Sequence, residues 1–313
     1  MSVPTYEERL LGGLYGLLVG DALGVPYEFH DADNLPSEIE MAPPPAFRRA
    51  HASVPPGTWS DDGAQALALL ASLLEHDGAL DEADFARRLV NWHDAGYCAV
   101  DGIVFDVGMQ TSMAIEALRA GAPALEAGPS GERHNGNGSL MRVLPLALAF
   151  RGDDAALVDA AYRSSLPTHG HARSRVCCAL YCLWARRLLA ADADPWTSAV
   201  AAMRARIERD SPEDEALEYH IRPDELLEGR GSGYVIDSFR SARMVFEANA
   251  DYRDVVTAAV RLGDDTDTTA AIAGGLAGVR GGLASIPESW RAALRGRELV
   301  EPLAARLLAL AAR

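Results

Sequence analysis

Arg261-Leu262-Gly263-Asp264-Asp265-Thr266-Asp267-Thr268-Thr269 runs directly into Ala270-Ala271-Ile272-Ala273-Gly274-Gly275-Leu276-Ala277-Gly278. The second half predicts a helix of small apolar residues, and the first half crowds acids and hydroxyls at its mouth. One Asp or Thr is enough to cap a helix by accepting from its free N–H groups. Three acids in four residues, Asp264, Asp265 and Asp267, exceed that need. Clustered carboxylates repel and take protons back unless a cation neutralises them, and hard divalent cations take oxygen ligands. The stretch therefore reads as half of a metal site.

The helix that follows carries small residues every fourth position, at Ala270, Gly274, Gly278 and Gly282. The same spacing recurs near the N-terminus at Gly12, Gly16, Gly20 and Gly24, within an apolar run from Leu10 to Gly24. Residues four apart fall on one helix face. Each interior glycine costs a helix about 1 kcal/mol relative to Ala, so two such stripes predict two backbones in close contact. Asp21 and Glu28 lie beyond the first stripe, with Gly24 and Pro26 ending the helix between them. Asp21 is either an acid supporting the metal site or a solvated helix end.

A second acid cluster, Gly57-Thr58-Trp59-Ser60-Asp61-Asp62-Gly63, opens a clear helix from Ala64. Alone it is explained by an N-cap and acids favoured by the helix dipole. Paired with Asp265, Thr266, Asp267 and Thr268, about two hundred residues away, it offers the other half of a shared cation site. Both helix dipoles would oppose a cation there, so several carboxylates are needed. Between the clusters, Arg133-His134-Asn135-Gly136-Asn137-Gly138-Ser139 precedes a predicted helix over 140–150. Alternating Gly and Asn can turn backbone N–H groups onto an anion such as a diphosphate, with Arg142 as a further partner, or can form a plain Asn-Gly turn before a capped helix. Asp106, between Phe105 and Val107 ahead of another helix, is either a cap or an active-site acid. His169 and His171 read as structural or ligand-contacting, and Tyr234 as core packing or a ring-stacking residue.

The chain has 313 residues and a formal net charge of -16, with a pI near 4.9. Phosphate-driven binding to nucleic acid and binding to an anionic membrane are both disfavoured. The N-terminal residues lack the basic stretch of a signal peptide, and the run from Leu10 to Leu23 is short for a bilayer and holds Asp21, so no membrane association and a cytoplasmic location are expected. Cys98, Cys177, Cys178 and Cys182 lack a paired C-x-x-C spacing and read as buried free thiols. Residues 31–57, rich in proline, and the acidic stretch 206–233 read as surface loops, the latter with one helical segment. No strand-like alternation occurs, so the architecture is expected to be all-α and single-domain over residues 1–313.

Six stretches in this order resemble the ADP-ribosylglycohydrolase family over nearly the whole chain: Gly20-Asp21-Ala22-Leu23-Gly24 with Glu28, Trp59-Ser60-Asp61-Asp62, Phe105-Asp106-Val107-Gly108, Asn137-Gly138-Ser139-Leu140-Met141-Arg142, Thr168-His169, and Gly263-Asp264-Asp265-Thr266-Asp267-Thr268. That family includes the glycohydrolase that reactivates dinitrogenase reductase and the ADP-ribosyl-acceptor hydrolases. The resemblance implies a compact orthogonal multi-helix domain with a binuclear centre of two Mg2+ or Mn2+. It implies Ser60, Asp61, Asp62, Asp265, Asp267 and Thr268 as metal ligands, Ser60 standing where the family usually has threonine, and leaves Asp264 outside the pattern. It places Asn137, Gly138, Ser139, Met141, His169 and Tyr234 against ADP-ribose, and Glu28 and Asp106, with Asp61 and Asp62, in the catalytic cleft. Such a site would hydrolyse the bond from the anomeric carbon of ADP-ribose to an acceptor through an oxocarbenium-like transition state. Either Glu28 or Asp106 would assist the leaving group. The expected partner is an ADP-ribosylated protein, with arginine as acceptor by resemblance to the bacterial branch, and the expected state is a monomer. Serine-linked or small-molecule conjugates stay open as substrates, as do roles in metabolic regulation or in reversing a toxin's modification. A non-catalytic, crystallin-like member would be expected to lose the oxygen ligands, all six of which this sequence keeps.

Overall fold

The computed structural model describes residues 3–313. Helix α1 (Tyr6–Gly24) opens with a capping box, in which Thr5 Oγ1 accepts from Glu8 N and Glu8 returns a carboxylate to Thr5 N. There follow α2 (Asp61–Glu75), α3 (Glu82–Ala95), α4 (Met109–Arg119), α5 (Leu144–Ala149), α6 (Asp154–Ser165), α7 (Ala172–Leu189) and α8 (Pro195–Arg204). The chain closes with α9 (Pro212–Asp214), α10 (Val235–Ala248), α11 (Tyr252–Val260), α12 (Thr266–Gly281), α13 (Glu288–Ala293) and α14 (Arg297–Ala311). Extended pairing among the described residues is limited to two isolated bridges, Asp31 with Gly263 and Gly136 with Tyr234. The helices share one core, so the all-α single-domain expectation holds.

α1 and α12 form the central pair, and the two glycine stripes meet as the spacing predicts. A Cβ on Gly12 would lie 2.1 Å from the Gly278 carbonyl oxygen, one on Gly16 2.4 Å from Gly274 O, one on Gly20 2.2 Å from Ala270 O, and one on Gly24 2.3 Å from Asp267 Cα. The helices run antiparallel and touch backbone to backbone along their length. Side-chain hydroxyls brace the pair: Tyr252 donates to Gly16 O at 2.7 Å, Tyr181 to Ile272 O at 2.8 Å and Thr266 to Gly24 O at 2.9 Å. Buried Arg9 donates to the carbonyls of Leu188, Val279 and Arg280, satisfying the C-terminal ends of α7 and α12.

Four local expectations change. The helical run Tyr6–Tyr27 is long and apolar enough by composition to cross a membrane, but 89% of its most apolar window is buried inside the protein. The helix expected over 140–150 is only Leu144–Ala149, because Leu140 N and Met141 N both donate to Asn137 O in a turn and Pro145 sits in the first helical turn. Arg142 therefore precedes the helix and points inward. The loop over 31–57 is not purely surface, since Ile39, Met41 and Val54 are buried. The helical segment expected in 206–233 comprises α9 and seven π-helical residues, Glu215–Ile221.

The close contact generates a stability prediction. Gly278→Ala would place its methyl 1.9 Å from Gly12 O, where only backbone can yield, and is expected to destabilise by about 3 kcal/mol or more. Gly108→Ala, with no atom within 4 Å and an ordinary negative φ, is expected to stay within ~0.5 kcal/mol of the parent. Chemical denaturation of both variants beside the parent measures the contrast.

Candidate active site

The C-terminal turn of α1 organises the site. Asp21 is fully buried, and its two carboxylate oxygens accept from Ser60 N at 2.8 Å and Gly63 N at 2.7 Å. Asp21 is therefore not a solvated helix end; it ties α1 to the N-terminus of α2. Ser60 is the N-cap there and accepts from Asp62 N at 3.3 Å. Gly24 meanwhile lies against Asp267 at the start of α12. The two acid clusters thus face one another, and Thr268 Oγ1 donates across the seam to Asp62 Oδ2 at 3.3 Å.

Beside this seam opens a cleft of about 460 Å3, lined by Glu28, Asp61, Asp106, Asp265 and Thr268 together with Gly136, Asn137, Gly138, Met141 and His169. Carboxylate oxygens of Glu28, Asp265 and Asp267 all lie within 4.8 Å of one another, as do ligand atoms of Glu28, His51 and Asp106. Asp62 Oδ1 and Asp267 Oδ2 are buried without a hydrogen-bond partner. A buried orphan carboxylate oxygen is costly unless something positive meets it, so the donor set fits divalent cations held by oxygen ligands.

The electrostatics agree. Burial pushes the Glu28 carboxyl up to about 10, reinforced by Asp106, Asp265, Asp62 and Asp21. Burial, with backbone N–H donors opposing, leaves Asp21 at about 7. Asp61, Asp62 and Asp267 are raised well above the usual carboxylate range by burial and then by neighbouring acids. Asp106 and Asp265 are also raised, chiefly by burial.

A buried chain of hydrogen bonds joins the acid side to the loop side. Gln65 Nε2 donates to Asp61 Oδ2 at 3.0 Å, Arg142 donates to Gln65 Oε1 and to Thr168 Oγ1, each at 2.6 Å, and Thr168 Oγ1 lies 2.7 Å from His169 Nδ1. Because Arg142 is the donor to Thr168, the threonine's own proton turns to His169 Nδ1. Burial, and then Arg142, hold the imidazole neutral well below its ordinary pKa. Nε2–H is then the donor left for the cleft. Arg142 is not available to an anion, which corrects the reading of it as a loop partner.

Most of the predicted residues converge here. Asn137 Nδ2 donates to both Asp265 Oδ2 at 2.7 Å and Ser238 Oγ at 2.9 Å, so it holds an acid as well as lining the cleft. Asp106 is not a helix cap, since Gly108 takes the N-cap position of α4. Asp264 is exposed and outside the cluster, as expected; its backbone pairs with Phe29 N and His30 O. Ser139 departs from expectation: its buried Oγ lies 2.9 Å from Ser165 Oγ and accepts from Cys178 Sγ at 3.4 Å, away from the cleft. Tyr234 is 38% exposed, not core, and does not line the cleft, although it pairs with Gly136 of the loop. His171 caps α7 by accepting from Arg173 N. The four cysteines are free and buried.

Three residues that shape the site were not picked out by sequence reasoning. His51 Nε2 lies 2.6 Å from Glu28 Oε2, yet it comes from the proline-rich loop, where nothing in the sequence marks it. Gln110 donates to the carbonyls of Pro129, His134 and Thr168 and accepts from Gly136 N, clamping the Gly-Asn loop. Gln65, four residues after Asp61, was legible in principle, since that spacing puts both on one helix face.

Residues 2–313 match the ADP-ribosylglycohydrolase family. The chain belongs to that family. It is 32% identical over 304 residues to the ADP-ribosylarginine hydrolase Tri1 of Pseudomonas putida (strain GB-1), covering 96% of this chain and 78% of the relative. It is 29% identical over 295 residues to the ADP-ribosyl-[dinitrogen reductase] glycohydrolase of Rhodospirillum rubrum, covering 93% and 91%. A solved structure described as an ADP-ribosylglycohydrolase-related protein complex superposes with a TM-score of 0.78 at 32% identity, over 97% of this chain and 98% of that one. The protein is a glycohydrolase with the family's helical fold.

The raised carboxyl pKa values set a pH dependence. A carboxyl whose folded pKa lies above its unfolded value binds more protons when folded, so its contribution is unfavourable above the unfolded pKa and grows as pH rises. In chelator, the melting temperature of this glycohydrolase is expected to fall between pH 5 and 8, through the range where Asp21, at about 7, ionises. Millimolar Mg2+ or Mn2+ is expected to restore most of the loss. Thermal unfolding across pH with and without cation tests both statements.

Proposed function

We propose that this glycohydrolase is a metal-dependent enzyme that removes ADP-ribose from modified protein side chains, with ADP-ribosylarginine as substrate, and so reverses ADP-ribosylation. The observation that carries the reading is the meeting of Asp61 and Asp62 with Asp265 and Asp267 beside a cleft walled by the Gly136–Gly138 loop. The names of the Pseudomonas putida and Rhodospirillum rubrum relatives support the substrate class.

Ser60, Asp61, Asp62, Asp265, Asp267 and Thr268 would hold two divalent cations, Mg2+ or Mn2+. Bound there, they would neutralise the carboxylates, orient ribose hydroxyls and acidify a water in the cleft. The chain's own groups do the rest. Gly136 and Gly138 leave room for a ligand beside His169, since a Cβ on Gly138 would lie 2.9 Å from the imidazole, and His169 Nε2–H donates to an oxygen of ADP-ribose. Glu28 lines the cleft, its carboxyl is pushed up by burial and then by neighbouring acids, and one of its oxygens lies 2.6 Å from His51 Nε2. We assign it to the leaving atom. As the bond from the anomeric carbon to the guanidine nitrogen breaks, the Glu28 proton passes to that nitrogen; water then forms the new bond at the anomeric carbon and returns one proton to the Glu28 carboxylate. Asp106, on the same rim, steadies the departing cation.

The test is to incubate the protein with an arginine-ADP-ribosylated substrate, with chelator or with Mg2+ or Mn2+, and follow free ADP-ribose. Release is expected only with cation, and no release under any metal condition would count against the reading. Asp265→Ala is expected to lower kcat by at least ~100-fold while circular dichroism stays helical. Retained turnover would remove Asp265 from the site.

A further inference from the structure

Glu28 and Asp106 line the cleft and His51 lies beside both, with features that leaving-group chemistry does not require. Phe29, next to Glu28, is 68% exposed. Its backbone is left-handed at φ 62, as are His51 at φ 46 and Asp106 at φ 55. Non-glycine residues adopt that region at a cost and keep it where surrounding contacts enforce it. Here the enforcement is visible: Phe29 N donates to Asp264 O at 2.8 Å and Asp264 N donates to His30 O at 2.9 Å, pinning the phenyl group outward from the loop that bears the acids. Three separate loops thus bring unfavourable backbone geometry to one place.

What they assemble is aromatic and acidic. The His51 ring centroid lies 5.7 Å from that of Phe29 and 5.0 Å from that of Phe105, the residue before Asp106. Among the described residues, no arginine or lysine forms an ion pair with Glu28 or Asp106, and the ion-pairing distance at Glu28 is to His51. His51 Nε2 is already engaged by Glu28 at 2.6 Å, which leaves a carboxylate and ring faces for an incoming group. A planar, delocalised, weakly hydrated cation satisfies both, stacking on a ring while its N–H groups meet a carboxylate. An uncharged hydroxyl acceptor gains neither.

We propose that the Phe29–His51–Phe105 edge with Asp106 is the acceptor subsite, and that it selects a guanidinium side chain on the group attached to ADP-ribose. This rests on the cleft being the ADP-ribose site, and it assigns the choice of acceptor to residues outside the metal ligands. The ring of Phe29 supplies the exposed stacking face, and Asp106 supplies the charge.

The experiment compares the affinity of two probes, ADP-ribosylarginine and free ADP-ribose, for the metal-loaded parent, Phe29→Ala, Phe29→Leu and Phe29→Trp, by calorimetry in a catalytically silenced Glu28→Gln background that keeps every proposed metal ligand, and by KM for ADP-ribosylarginine in the active one. Phe29→Ala and Phe29→Leu are expected to weaken ADP-ribosylarginine by about three- to tenfold, with free ADP-ribose bound as in the parent and Phe29→Trp restoring the affinity. Equal losses for both probes, or rescue by Leu, would overturn the proposal. If the parent binds free ADP-ribose yet never turns over ADP-ribosylarginine, the proposed substrate fails, while the calorimetric ratio still decides whether Phe29 reads the acceptor.

Discussion

The backbone contact between α1 and α12 is the constraint on which the rest of the molecule depends. At Gly12, Gly16, Gly20 and Gly24 the opposing helix approaches so closely that a single methyl would strike backbone atoms. Such an approach fixes the axial register of the two helices to within a fraction of a turn, since sliding would move each glycine off its facing carbonyl. The register sets the chemistry. Asp21 leaves α1 one turn before Gly24, and Gly24 abuts Asp267, so one contact places the anchor of the first acid cluster and the start of the second. Helix propensity is sacrificed along both stripes, at about 1 kcal/mol per interior glycine, in return for placement that larger side chains could not provide.

That placement is electrostatically unfavourable in the metal-free chain. Two helix N-termini, each with a positive dipole end, tolerate carboxylates well and cations poorly. Asp62 and Asp267 nevertheless each keep an oxygen without a protein partner. Where a capping acid would be hydrogen-bonded and its pKa lowered, these are raised by burial and mutual repulsion. The site is overcharged for a helix cap and fits dications, because the clustered carboxylates outweigh the opposition of the dipoles.

Much of this was readable in the residues because it depends on spacing. The glycine stripes, the overcharged start of α12 and its counterpart at Ser60 to Asp62 are short-range patterns, and each survives in the fold. What was not readable depends on where a loop goes. His51 has no sequence neighbour that marks it, and only the path of the proline-rich loop brings it to Glu28. Ser139 sits in the middle of the Gly-Asn loop yet turns to Ser165 and Cys178, because the chain makes a tight turn back to Asn137 O where a longer helix was expected. Arg142 moved inward for the same reason, and there became the centre of a buried network where an anion contact was anticipated. Of the two readings of Tyr234, core packing fails, because as the residue before α10 it lies outside the helical face that packs.

The two sides of the cleft are therefore built by different means. Asp61, Asp62, Asp265 and Asp267 stand on helix ends locked by backbone packing, so changing one disturbs a rigid frame. Glu28, Phe29, His51, Phe105 and Asp106 come from connecting segments whose backbone is held by a few hydrogen bonds and ring contacts. Loops on a rigid scaffold can change residue by residue at small cost to the core. A reaction centre that must stay constant belongs on the first kind of support, and a surface that distinguishes one acceptor from another belongs on the second. The left-handed residues at Phe29, His51 and Asp106 follow from the same division, because a loop must be held in an unfavourable conformation if it is to present a ring and a carboxylate at a fixed distance from a frame it does not share.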